Sequence, residues 1–310
     1  CEPKMINKVK TCTVFGLDCL PIDVEVDVTS SGLPSFNIVG LPDKAVEEAR
    51  ERVRSALKNS GFDFPQHHIT INLAPADFPK AGAGFDLAIA VGILLASGQI
   101  LINTDNHLFM GELSLDGSLR PVSGILSATL YAKENNYEQF FLPTINAKEA
   151  AIIPFGGIYP VGSLRELFDH FINLKIIAPY INDKKNDEDN FVYEYDLADI
   201  KGQEQAKRAL EICAGGGHNL IFKGPPGSGK TLLARTLPSI LPKMLFQESI
   251  EVTKIYSHFG MVNFNEPLIT KRPFRAPHHT VSHIGLVGGG QTPRPGEISL
   301  SHRGVLFLDE

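Results

Sequence analysis

Cysteine is scarce in this sequence. Its 310 residues hold four, Cys1, Cys12, Cys19 and Cys213, at no metal-binding spacing and too few for a small disulfide-stapled scaffold. A reducing compartment follows. Long apolar runs are also missing: the longest, Leu87 to Ala96, falls well short of the roughly 20 residues that cross a bilayer. No secretory leader is expected from its opening residues. Its first residue is Cys1 and not methionine, and Met5-Ile6-Asn7-Lys8 reads as a natural start. Neither sign of charge prevails strongly. A net charge of −6 excludes a protein that coats DNA over its whole surface and leaves room for a local basic patch. No H-E-x-x-H pattern occurs, and Pro277, Thr280 and Val281 disfavour a helix that would pair His279 with His283 on a metal.

What is present is ordinary for a globular chain, with 43% hydrophobic and 21% charged residues. The length predicts two domains. In the first half, Ile22, Val24, Val26 and Val28 alternate with Asp23, Glu25 and Asp27, as in a strand buried on one face. A helix is expected from Asp43 to Ser60, with Val46, Ala49, Val53, Ala56 and Leu57 on one side, Asp43 as its cap and Gly61 as its terminator. Phe85 to Ser97 predicts a buried helix, and Ser163 with Glu166 a capping box. These elements give an α/β or α+β domain over residues 5–178. Residues 179–195 are polar and read as a linker, and a second α/β domain fills 196–310.

The second domain carries the chemistry. Gly224-Pro225-Pro226-Gly227-Ser228-Gly229-Lys230-Thr231 satisfies G-x-x-x-x-G-K-[ST] at every fixed position. Asn219 to Phe222 before it predicts a short buried strand. Leu232, Leu233, Thr236 and Leu237 predict a helix after it, stopped by Pro238. In that setting the loop's backbone N–H groups converge on phosphate oxygens, and the helix start adds about half a positive charge. Lys230 reaches the β- and γ-phosphates of ATP, and the Thr231 hydroxyl ligates Mg²⁺. Val305 to Leu308 reads as a buried parallel strand ending in Asp309 and Glu310. Asp309 then belongs to the Mg²⁺ shell, and Glu310 polarises the attacking water. Residues 270–304 hold Lys271, Arg272, Arg275, Arg294 and Arg303 against one acid, Glu297. Two readings stand: contacts to nucleic-acid phosphates, through Lys271, Arg272, Arg275 and Arg294, or arginines paired with nucleotide or a neighbouring subunit. Gly285, Gly288, Gly289 and Gly290 suit either a moving loop or a hairpin turn.

Several segments carry a resemblance. Asp199-Ile200-Lys201-Gly202-Gln203, Arg272-Pro273-Phe274-Arg275-Ala276-Pro277-His278-His279-Thr280, Leu286-Val287-Gly288-Gly289-Gly290 and Pro295 to Leu300 leading into Gly304–Glu310 resemble the ComM/YifB branch of magnesium-chelatase-like AAA+ ATPases. The resemblance runs from Met5 to the end of the chain. It implies a bacterial, cytoplasmic ATPase that assembles as a homo-oligomeric ring, a hexamer in the full-length parent, and acts on single-stranded or branched DNA as a helicase or branch-migration motor. It also implies that Ile200 contacts the nucleotide. A magnesium-chelatase-type ATPase subunit and a nucleotide-dependent assembly scaffold are the competing readings. The first half resembles the Lon protease domain, a ribosomal S5 domain 2-like fold. Pro79 to Gly84 corresponds to the segment with the nucleophilic serine, at Gly84. Pro121 to Leu126 corresponds to the segment with the catalytic lysine, at Leu126. Lacking both groups, this domain is expected to be non-proteolytic. The family's AAA+ core continues after the strand that ends at Glu310, with a sensor, an arginine finger and a lid. An arginine finger supplies about 10³–10⁵ in rate, so the 310-residue chain alone is expected to hydrolyse ATP poorly.

Overall fold

Leu108 and Phe109 are neighbours in sequence, yet they belong to different hydrophobic clusters, and so do Phe140 and Phe141. Alternation of this kind means a sheet covered on both faces. The protein is described by a computed structural model covering residues 7–29, 33–182, 193–289 and 294–309. Its contacts divide the chain into two compact units, Cys1–Asp183 with Asn263–Glu266, and Lys184–Val262 with Pro267–Glu310.

In chain order the first unit contains β1 (Asn7–Phe15), β2 (Asp18–Thr29), β3 (Ser35–Val39), α1 (Lys44–Asn59), β4 (His68–Ala74), α2 (Asp86–Ala96) and β5 (His107–Phe109). The short β6 (Glu112–Leu113) and β7 (Leu119–Arg120) follow, then α3 (Ile125–Glu134), β8 (Gln139–Pro143), α4 (Ala147–Ala150), β9 (Ile158–Val161) and α5 (Leu164–Phe171). Seven strands form one sheet in the order β3-β4-β2-β1-β5-β8-β9. The pairs β1–β2 and β2–β4 are antiparallel, and the other four are parallel. Hence the fold is mixed α/β. Val24 and Val26 of β2 and Ile69, Ile71 and Leu73 of β4 pack with α1 and α2 on one face. Cys12, Leu108 and Phe140 pack with Ile125, Ala128 and Ala132 of α3 on the other.

Helix α1 buries the five residues its spacing predicts, and the Asp43 side chain accepts the Val46 N–H at its start. Phe85 and Ser97 flank α2, whose residues from Asp86 to Leu94 are all buried. Ser163 caps α5 by accepting the Glu166 N–H, but the Glu166 carboxylate accepts from Gly162 rather than from Ser163. The expected linker 179–195 lies partly outside the described residues, at 183–192.

The second unit contains α6 (Glu204–Gly216), α7 (Lys230–Ile240), α8 (Phe246–His258), β10 (Phe274–Arg275), α9 (His283–Val287), β11 (Gly288–Gly289), β12 (Arg294–Pro295), α10 (Glu297–Leu300) and β13 (Val305–Leu306). Leu197, Leu210 and Leu233 form its small core, with Ile200, Phe222 and Leu237 against them. Gly288 and Gly289 pair with Pro295 and Arg294, a short antiparallel ladder, while Gly290 lies outside the described residues.

Three expectations fail here. Asn219 to Phe222 is not a strand, and Ile221 is 90% exposed. Among the described residues no strand pairs with it, and an apolar segment without a hydrogen-bonded neighbour has no ladder to hold it. The strand before Asp309 is only Val305–Leu306, parallel to Phe274–Arg275, and Leu308 is 61% exposed. Finally, Pro238 does not stop α7, which runs on to Ile240. Its missing N–H and the crowding of its ring against the carbonyl four residues back weaken α7 there, yet the helix continues for two more residues.

Candidate nucleotide-binding site

The phosphate loop turns through two residues in the left-handed region, Gly227 at φ 76° and Gly229 at φ 83°, where a side chain would be strained. Gly229 stands at the N-cap of α7, and its carbonyl accepts the Leu233 N–H at 2.9 Å. Lys230 and Thr231 therefore open the helix, with the positive end of its dipole at the loop. Gly224, Pro225, Pro226, Gly227 and Gly229 are exposed, and Ser228 is half-buried. The Lys230 ammonium curls back onto its own loop, donating to the carbonyls of Gly224 at 3.0 Å and Pro225 at 3.1 Å.

Across from the helix start, the Thr231 hydroxyl donates to the Asp309 carboxylate at 3.3 Å. Two segments far apart in sequence thus supply two hard oxygen donors at one point, a donor set that suits Mg²⁺. Glu310, expected to activate water, lies outside the described residues. Ile200 is half-buried against Leu197, Leu210 and Leu233, on the core side of the segment that precedes α6.

Glycine is required at one further point. A Cβ on Gly304 would lie 2.0 Å from the Pro273 carbonyl oxygen, so only glycine lets β13 approach β10 this closely. Val305 and Phe307 then donate to the carbonyls of Pro273 and Arg275, each at 2.8 Å, which sets the strand that runs out to Asp309.

The basic segment looks inward more than the sequence suggests. Arg275 makes a bidentate pair with Glu297 at 2.5 and 2.7 Å. The guanidinium holds the Glu297 carboxyl below its usual range. Arg272 donates to the carbonyls of Pro242 and Arg303 and to Glu248. Arg303 meets Glu248 and Glu251, and His302 also meets Glu251. Arg272 and Arg275, two of the four expected DNA contacts, therefore have their donors engaged within the unit. Lys271 and Arg294 are exposed. Sequence reasoning named Glu297 only as a charge in the segment and missed Glu248 and Glu251 as partners. Glu248 also reaches back to accept the Leu245 N–H at 3.0 Å, at the start of α8.

In the first unit, Gly84 precedes α2 and its carbonyl accepts the Gly111 N–H at 2.9 Å. Leu126 is fully buried in the first turn of α3, with its N–H donated to Glu149 at 3.1 Å. Neither position offers a nucleophile or an amine. Lys80 is buried, donates to the carbonyls of Pro75 and Phe78, and lies over the Phe78 ring. Ser114 accepts from Arg120 and Ser118 donates to Asp116, so neither is paired with that ammonium.

Comparison with known proteins finds matches in two stretches of the chain. The family model described as magnesium chelatase, subunit ChlI, matches residues 196–310, and that described as subunit ChlI of Mg-chelatase matches residues 24–146. The chain is 46% identical to competence protein ComM of Haemophilus influenzae, over 96% of this chain and 58% of that protein. It is 42% identical to the uncharacterised protein YifB of Escherichia coli, over 98% of this chain and 59% of that one. It thus spans about 60% of the length of the curated relatives it matches. A Lon protease of Mesomycoplasma hyopneumoniae is 30% identical over 46% of this chain and 17% of its own length.

Proposed function

The chain belongs to the ComM/YifB family of magnesium-chelatase-like AAA+-type ATPases, and from that premise we propose that residues 196–310 bind and hydrolyse ATP with Mg²⁺ to remodel DNA. The meeting of Thr231 and Asp309 at 3.3 Å is the observation that carries this reading. A phosphate loop alone is a turn; a loop whose hydroxyl faces a carboxylate from a distant strand is a place for a triphosphate and its metal.

The chemistry divides among the residues as follows. Backbone N–H groups of residues 227–231 receive the phosphate oxygens at the start of α7. Lys230 leaves the Gly224 and Pro225 carbonyls, which hold only a surface-accessible ammonium, for the stronger charge of the β- and γ-phosphates. Thr231 and Asp309 would hold Mg²⁺, which when bound neutralises charge developing on the transferred phosphoryl group. Glu310 orients the attacking water. The first unit, with Gly84 and Leu126 in place of a serine–lysine pair, is a Lon-like binding or assembly module without peptidase chemistry. In the full-length protein the ATPase units form a homo-oligomeric ring, a hexamer, in the cytoplasm. Lys271 and Arg294, both exposed, are candidates for contact with DNA. No helix among the described residues is long and apolar enough to cross a membrane.

Nucleotide binding is tested by titrating ATP into wild-type protein and Lys230→Ala. Loss of the ammonium's charge-assisted bonds should weaken binding about 10- to 100-fold. ATP turnover by the full-length protein should rise with single-stranded or branched DNA. A rate unmoved by DNA but raised by a porphyrin would favour the chelatase-type reading named by the matching family models.

A further inference from the structure

Arg272 is engaged on three sides. Its Nε donates to the Pro242 carbonyl at 2.6 Å, its Nη1 to the Arg303 carbonyl at 2.7 Å and its Nη2 to the Glu248 carboxylate at 3.2 Å. Only 14% of its side chain is exposed. Each acceptor comes from a different segment of the chain. Pro242 lies just past the end of α7, the helix whose other end carries Lys230 and Thr231. Arg303 stands in the left-handed region at φ 58°, immediately before Gly304 and the strand that leads to Asp309. Glu248 is in the first turn of α8 and also meets Arg303 itself, at 3.3 Å.

We infer that Arg272 is a positioning residue for the metal half of the nucleotide site, tying the phosphate-loop helix to the strand that carries Asp309. The inference rests on the nucleotide reading above and assigns that site a residue which touches neither nucleotide nor metal. An α-helix is stiff, so fixing its far end fixes the direction in which Thr231 points. A two-residue strand has little ladder of its own, so its start needs an external anchor. One guanidinium supplies both anchors, because its planar fork can donate to two carbonyls and a carboxylate together. A lysine ammonium has no such fork. Supporting groups behind metal ligands commonly carry 10- to 100-fold of metal affinity. Orientation of Asp309 relative to Thr231 is what metal ligation demands, whereas phosphate binding to the loop's N–H groups demands much less of it.

The test is the affinity of full-length protein for mant-ADP, measured with Mg²⁺ and again in EDTA, for wild type, Arg272→Gln and Arg272→Lys. In Arg272→Gln the tightening that Mg²⁺ brings should fall about tenfold, while the affinity in EDTA stays at the wild-type value. Arg272→Lys should not rescue it. A purely structural role would lower both affinities together. That outcome overturns the inference, and so does a Mg²⁺ effect that survives in a folded Arg272→Gln protein. Should circular dichroism show Arg272→Gln unfolded, Arg272→Lys decides by the same comparison. A variant that keeps the Mg²⁺ effect but loses salt-dependent DNA binding would return Arg272 to a phosphate-contact role. Wild-type protein that binds no mant-ADP under either condition would instead sink the nucleotide reading, and this inference with it.

Discussion

Replacing Asp86 by asparagine should remove a pH dependence from the stability of the first unit. Asp86 opens α2 with its side chain wholly out of water. The carboxylate accepts from Arg52 Nε at 2.7 Å, from Arg52 Nη2 at 3.0 Å and from the Leu113 N–H at 3.2 Å. Those bonds favour the charged form, and burial opposes it. Burial prevails, because Arg52 keeps 19% of its side chain in water and its field is partly screened, while the carboxylate has no water at all. The carboxyl is pushed up to about 6 from an ordinary 3.8. A raised carboxyl stabilises the fold fully below pH 3.8, and this contribution disappears as the pH rises through about 6. A gap of about 2 pH units at 1.36 kcal/mol each corresponds to roughly 3 kcal/mol. Between pH 4 and pH 7, wild-type protein should therefore lose about that much stability relative to Asp86→Asn. Hydrogen exchange of the peptide containing Asp86–Ala96, read in both proteins at matched pH, isolates this unit from the other. A difference that stays constant across that range, or grows in favour of wild type, would refute the balance of burial over pairing.

Gly304→Ala should destabilise the second unit by about 1–3 kcal/mol, because the new Cβ meets the Pro273 backbone, which is also bonded to Val305. Urea unfolding measures this, and an unchanged midpoint would mean that the two strands part more easily than their packing indicates. A serine-directed fluorophosphonate should leave the first unit unlabelled. Gly84→Ser should fold normally, since the nearest side-chain atom to its Cβ is Met110 Cε at 3.5 Å, and should remain unlabelled without an amine near Leu126.

Much of this is legible in the sequence. Val46, Ala49, Val53, Ala56 and Leu57 marked the inner side of α1, Asp43 its cap, and Lys230-Thr231 the start of a helix behind a glycine turn. The spacing of apolar residues and the hydrogen bonds of a helix's first turn are local properties. Isolated strands were less legible. Asn219 to Phe222 has the composition of a buried strand, but composition cannot say whether a neighbour lies alongside, and none does among the described residues. The strand order β3-β4-β2-β1-β5-β8-β9 was equally out of reach, since it depends on pairings made across long stretches of chain.

The sequence by itself determined the phosphate loop, the helices α1, α2 and α5, the start of α7, and the glycine and leucine at positions 84 and 126, because each follows from residues close together in the chain. Tertiary structure alone decided what the charges do. Arg272 and Arg275 read as cations awaiting an anionic partner until Pro242, Glu248, Glu297 and Arg303 arrive beside them. Asp86 reads as an ordinary carboxylate until a closed core removes its water. A charge's partner and its hydration are set by what folds around it, and no local pattern encodes either.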